Sequence, residues 1–114
     1  MEIKTIDIDT NEWFDRLNGN SYFSSVITLN FGMDDVKLIY LGFQYGYGSH
    51  YLTESVKALV KYGFIKPEFE SRGITHYCRE NGIILRHAKY ENCLKRELVK
   101  FEEAESLNLQ NFKK

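Results

Sequence analysis

Proline occurs once in 114 residues, cysteine twice and glycine only eight times. A chain so poor in proline and glycine is neither a low-complexity segment nor a linker. Two cysteines, Cys78 and Cys93, with no export signal read as reduced thiols, not as a bridge. Long hydrophobic runs are also missing: the uncharged run Ser21–Met33 is too short and too polar to cross a bilayer. No membrane partner is expected. Met1-Glu2-Ile3-Lys4 lacks the basic-then-apolar order of a signal peptide, which predicts a cytoplasmic protein.

What is present suits one globular domain: 43% hydrophobic and 27% charged residues, enough to bury a core without metal or disulfide support. The net charge is −1 but unevenly placed. Residues 1–35 carry seven acids against Lys4 and Arg16, and residues 65–101 carry eight bases against five acids. This predicts an acidic amino-terminal side and a mildly basic carboxy-terminal side.

The stretch Asn18–Tyr51 organises the chain. Two apolar strand patterns, Ser21–Phe31 and Val36–Tyr45, flank the turn Gly32-Met33-Asp34-Asp35 and predict a β-hairpin. In the first strand the odd positions Phe23, Ser25, Ile27, Leu29 and Phe31 form the buried face. The second strand is apolar on both faces, which favours a central position. Before the hairpin, Glu2–Asp9 reads as a short strand. Asn11–Leu17 reads as a short helix with Thr10 as its N-cap, Trp13, Phe14 and Leu17 on one face, and Asn18-Gly19-Asn20 ending it.

After the hairpin, Ser49 can cap a helix whose Leu52, Val56, Leu59 and Val60 follow helical spacing to Gly63. A polar connection, Glu68–Arg72, leads to a short helix over Gly73–Asn81 and a strand over Ile83–Tyr90. A last helix is expected from about Asn92 to Leu107, with Leu94, Leu98 and Phe101 on its buried stripe. The fold class is therefore α+β: a small antiparallel sheet built on a central β-hairpin, with three to four helices packed on it. Residues 1–107 form a single domain, and 108–114 a frayed tail. The expected core is Phe23, Ile27, Leu29, Ile39, Leu41, Phe43, Val56, Leu59, Val60, Leu94, Leu98 and Phe101.

No catalytic set of high specificity is visible. The turn Gly46-Tyr47-Gly48-Ser49 with His50 resembles a glycine-rich strand-to-helix anion cradle, which would suit a small nucleotide- or ligand-binding enzyme. It lacks the third glycine of a dinucleotide fingerprint and the lysine of a P-loop; glycines that let the chain turn tightly past bulky tyrosines explain it better. His76, Cys78, His87 and Cys93 match no zinc spacing, and Cys-His catalysis has no local context. No metal and no cofactor are expected.

The aromatic residues are more informative. Tyr22, Tyr40, Tyr45, Tyr47 and Tyr51 crowd two adjacent strands and the following turn, and exposed tyrosines supply rigid amphipathic contact area. With the acids Glu12 and Asp15, they form the candidate partner-binding set; a sheet face covered by the last helix would instead bury Tyr40. Tyrosines can also stack bases, so the alternative is a nucleic-acid module with Lys95, Arg96 and Lys100 as phosphate contacts, weakened by the interspersed glutamates and a pI near 6.3.

Trp13-Phe14-Asp15, then Asn18-Gly19-Asn20-Ser21-Tyr22-Phe23-Ser24, then Phe43-Gln44-Tyr45-Gly46-Tyr47-Gly48 resemble small uncharacterised accessory proteins encoded by bacteriophages and prophages. The resemblance spans about the first half of the chain. It implies a setting, the host cell cytoplasm, and a role against a host protein or defence factor; it carries over no functional residue. The leading expectation is a non-enzymatic inhibitor that binds a protein partner and acts by occupancy, with the choice between monomer and homo-oligomer left open. Neither reductant nor chelator should move the thermal midpoint. A fall in the midpoint with chelator would restore the His76, Cys78, His87 and Cys93 site.

Overall fold

The computed structural model describes residues 1–99. Its elements run β1 (Thr5–Asp15), β2 (Asn20–Leu29), β3 (Lys37–Tyr45), α1 (His50–Lys61), α2 (Phe69–Arg72), α3 (Ile74–Asn81) and β4 (Ile84–Tyr90), and residues 95–99 are helical. The fold is α+β. The four strands form one mixed sheet in the order β3-β2-β1-β4, with β1 antiparallel to β2, β2 antiparallel to β3, and β4 parallel to β1.

Alternation decides which face each strand buries. Ile6, Ile8 and Thr10 of β1 lie across from Leu29, Ile27 and Ser25 of β2, and Ile27 and Ser25 lie across from Ile39 and Leu41 of β3; these residues and Phe23 of β2 are all buried. Onto this face pack Tyr51, Val56 and Leu59 of α1, Phe69 of α2, and Ile74 and Cys78 of α3, with Ile65 between. Burial pushes the Cys78 thiol up to about 11, so this sulfur stays protonated and packs as a small apolar group.

Several expectations need correction. Asn11–Leu17 is not a helix: β1 continues through it to Asp15. Seven residues make a marginal helix in isolation, whereas as strand this segment pairs with β2 out to Asp15↔Asn20 and with β4 out to Asn11↔Tyr90. Asn18-Gly19, read as a helix end, is a hairpin turn with Gly19 at φ 70°; the same left-handed preference serves both roles. β3 is an edge strand, not a central one. Its outward Leu38 and Tyr40 are half-buried and engaged in contacts, so its two-sided apolar character reflects a second covered face.

Phe31 is exposed because the strand ends at Leu29 and Asn30 turns the chain away. Leu94 is half-exposed: its N–H donates to the Glu97 carboxylate at 2.8 Å, so it precedes the helical residues 95–99 as their cap and contributes no core residue. Leu98 is fully buried as expected, Val60 is only partly buried, and Phe43 lies on the sheet face away from the helices. Glu68–Arg72 is not merely a polar connection, since Phe69 anchors α2 in the core. Phe101, the run to Leu107 and the tail 108–114 lie outside the described residues.

Asn30 joins the two ends of the central pair. It is buried at φ 56°. Its side-chain oxygen accepts from the Lys4 and Thr5 N–H groups at 2.7 and 3.3 Å, and its amide donates to the Glu2 carbonyl at 2.8 Å and to Asp35 at 3.2 Å. Asn30→Ala strands two backbone donors and replaces asparagine, which visits left-handed angles readily, by a residue that does not, so it should cost about 3 kcal/mol. Asn30→Gly, which tolerates the backbone angle, should cost about 1 kcal/mol less. Urea midpoints measure both, and equal losses would show that the angle carries no cost.

Candidate functional site

Strand register brings one end of the sheet together. The Asp15–Asn20 hairpin tip, the carboxy end of β3 at Tyr45 and the carboxy end of β4 at Tyr90 all lie there. So do most of the exposed large apolar side chains, notably Phe14, Leu17, Tyr45, Tyr47 and Leu94. A cleft of about 440 Å³ runs between Trp13–Leu17 and Asn92–Leu94. A second, of about 570 Å³, lies over Tyr45–His50 and Thr53.

The hairpin tip is pre-formed. One Asp15 carboxylate oxygen accepts from the backbone N–H groups of Leu17 and Asn18 at 3.0 and 3.4 Å, and the other from the Asn18 side-chain amide at 2.7 Å. The Gly19 N–H returns to the Asp15 carbonyl at 2.8 Å. The Asn18 amide is the main reason the Asp15 carboxyl lies below its ordinary value. Asp15 thus shapes the turn, and the turn presents Leu17, 96% exposed, at its apex. Sequence reasoning missed Leu17 as a surface residue by placing it on a helix face; the Asn18-Gly19 pair was the available signal of a hairpin.

The candidate tyrosines separate into three groups. Tyr47, 69% exposed, and Tyr45 project into solvent. Tyr22 and Tyr40 are half-buried on the outer face of the sheet. Tyr51 is 7% exposed and belongs to the core; its hydroxyl lies 2.9 Å from Nδ1 of His87, and burial raises its pKa. Tyr51 therefore presents no contact surface.

On the outer face, Tyr22 stacks on Phe43 at 4.9 Å between ring centres and on Trp13 at 5.6 Å. The Cys93 N–H donates to the Glu12 carbonyl at 3.0 Å, carrying the chain past the end of β4. Lys95 then sets its ammonium 5.5 Å from the Trp13 ring and 5.9 Å from Phe43, a cation–π arrangement. These rings engage one another and Lys95, which leaves them poorly disposed to stack bases. Arg96 is exposed, and Lys100 lies outside the described residues.

Glu12 is likewise used within the chain. Lys89 pairs with it at 3.2 Å, both side chains largely buried, and also donates to the Gly48 carbonyl at 3.2 Å. The lysine ties the Gly46–Ser49 loop to β1. Helix α1 does begin just after Ser49, but without a side-chain cap. Gly46 has a different necessity from that read in the sequence: a Cβ there would stand 2.6 Å from the Phe23 ring and 2.7 Å from the His50 ring, so close packing against those two rings, not against tyrosines, leaves no room for a larger residue unless a ring shifts. Among the described residues no three His, Cys, Asp or Glu side chains converge to hold a metal ion, and His76, Cys78, His87 and Cys93 are not assembled. Both cysteines are free thiols. No helix among the described residues is long and apolar enough to cross a membrane.

Comparison with protein-family models, curated proteins and solved structures finds no match. Trp13 is the single tryptophan, so its fluorescence reports the outer aromatic cluster directly. Lys95→Ala should uncover the indole and shift its emission to longer wavelength. An unchanged spectrum would show that the ammonium does not rest on that ring.

Proposed function

We propose that the protein binds a protein partner through the apolar end of the sheet, with Leu17 and Tyr47 as anchors. The observation that carries this reading is Leu17, a large apolar side chain fully in water at the apex of a turn whose backbone is already fixed by Asp15. A pre-formed loop loses little further entropy on binding, and exposed apolar groups flanked by clefts are the features of a contact surface. Tyr45 and Phe14 extend the surface on either side. Tyr22 and Tyr40 support it from the outer face, and Glu12 and Asp15 act through the structure they hold.

In the setting that the sequence resemblance implies, the partner is a host protein or defence factor in the cytoplasm, and the protein acts as an inhibitor by occupying it. Nucleic-acid binding through Lys95 and Arg96 is the second reading. It predicts affinity for oligonucleotides that falls steeply with salt.

Tagged protein captures its partner from host lysate, and the anchor variants test the assignment. Leu17→Ser and Tyr47→Ala should each weaken the captured complex by about 2 kcal/mol, roughly thirtyfold in Kd, with an unchanged melting curve. Phe31→Ser, at the opposite end of the sheet, should change neither. Equal loss with Phe31→Ser, or full binding by both anchor variants, would remove the apolar end from the interface.

A further inference from the structure

The two edges of the sheet are not alike. β3 carries an irregularity where its pairing with β2 shifts between Phe23 and Ser25, a feature that discourages further pairing. β4 pairs with β1 in unbroken register over seven residues, Thr5↔Ile84 to Asn11↔Tyr90, and ends the sheet among the described residues. It contains no proline and no bulge.

Its charges do not protect it either. Arg86 donates two hydrogen bonds to Asp7 at 2.6 and 3.0 Å, and Lys89 is paired with Glu12. Both cations of the strand are thus neutralised from β1, and among the described residues no unpaired cation of the strand opposes the approach of an identical strand.

Backbone direction fixes how such a strand would add. The Ile84 N–H donates to the Lys4 carbonyl at 3.1 Å, so Ile84, Arg86, Ala88 and Tyr90 bond to β1. The N–H and C=O groups of Leu85, His87 and Lys89 point the other way. An antiparallel copy centred on His87 places His87 against His87 and Leu85 against Lys89, satisfying these outward groups. The same register sets Ile84, 58% exposed, against Tyr90, 55% exposed, at both ends. Each falls at a non-hydrogen-bonded position, where cross-strand side chains approach most closely.

We propose that β4 is a self-association edge: it pairs antiparallel with β4 of a second copy across a two-fold axis at His87, joining two four-stranded sheets into one of eight. The interface is isologous, because the Ile84 and Tyr90 contacts occur twice. Seven residues on each side fall well short of the roughly 20–30 of a standard interface, so the dimer is weak, with a Kd on the order of 10 μM. The proposal is independent of the partner assigned to the apolar end.

Sedimentation velocity across a concentration series tests it, with four proteins whose folding is checked by circular dichroism. The wild-type chain should pass from monomer to dimer. Ile84→Glu combined with Tyr90→Glu sets like charges across the axis at both ends and should remain monomeric. Ile84→Glu combined with Tyr90→Lys sets opposite charges there and should restore the dimer. Both positions are exposed, so neither pair of changes touches the core. Leu17→Ser should associate like the wild type, which separates this edge from the apolar end. A wild-type chain that stays monomeric throughout would overturn the proposal and leave the edge to a foreign strand. So would an Ile84→Glu, Tyr90→Lys protein no more dimeric than its Glu, Glu counterpart.

Discussion

Everything in this fold depends on β1 being paired on both sides. Its antiparallel ladder to β2 and its parallel ladder to β4 make it a centre around which the sheet is laid out, and its alternating side chains place Ile6 and Ile8 beneath the helices. The two flanks are held differently. The β2 side is closed at one end by Asn30 and at the other by the Asp15 turn. The β4 side is aligned by two ion pairs, Asp7 with Arg86 and Glu12 with Lys89. The first is exposed and contributes little to stability; the second is largely buried and also restrains the loop that begins α1.

The separation of charge along the sequence has its explanation in that parallel pairing. Acids in the first third and bases in the last third suggested two sides of opposite sign. Instead, β1 and β4 lie side by side, and the opposite charges meet between them. Charge that looks like a surface for a partner in one dimension is, in three, part of the cross-strand matching that sets register. The acidic residues Glu12 and Asp15 are therefore structural before they are anything else.

Where a segment's periodicity matched its final surroundings, the sequence was readable. Val56 and Leu59 in α1, the alternating Phe23, Ile27 and Leu29 in β2, and the left-handed glycines Gly63 and Gly82 bounding helices needed only local rules. Trp13, Phe14 and Leu17 were misread because their spacing is compatible with a helix, and only partners far along the chain select a strand. Leu17 then moved from an apolar helix face to the most exposed apolar position of the candidate site. Tyr51 was grouped with the surface tyrosines by sequence proximity, although its place on the first turn of α1 points it at β4 and His87. Tyr47, between two glycines, was placed correctly, because no periodic element could draw it inward.

The parallel neighbour of β1 is also a matter of timing. Arg86 and Asp7 are 79 residues apart in sequence, so during synthesis β1, β2 and β3 can form their meander well before β4 exists. Through that interval the strand that will become the centre of the sheet has an open edge, bearing Ile6 and Ile8 with the unpaired acids Asp7 and Glu12 beside them. Non-local pairing of this kind is intrinsically slow, and open strand edges are where nascent chains associate wrongly. The acids, idle until β4 arrives, keep that edge charged in the meantime, so the residues that later fix register also guard the half-made sheet.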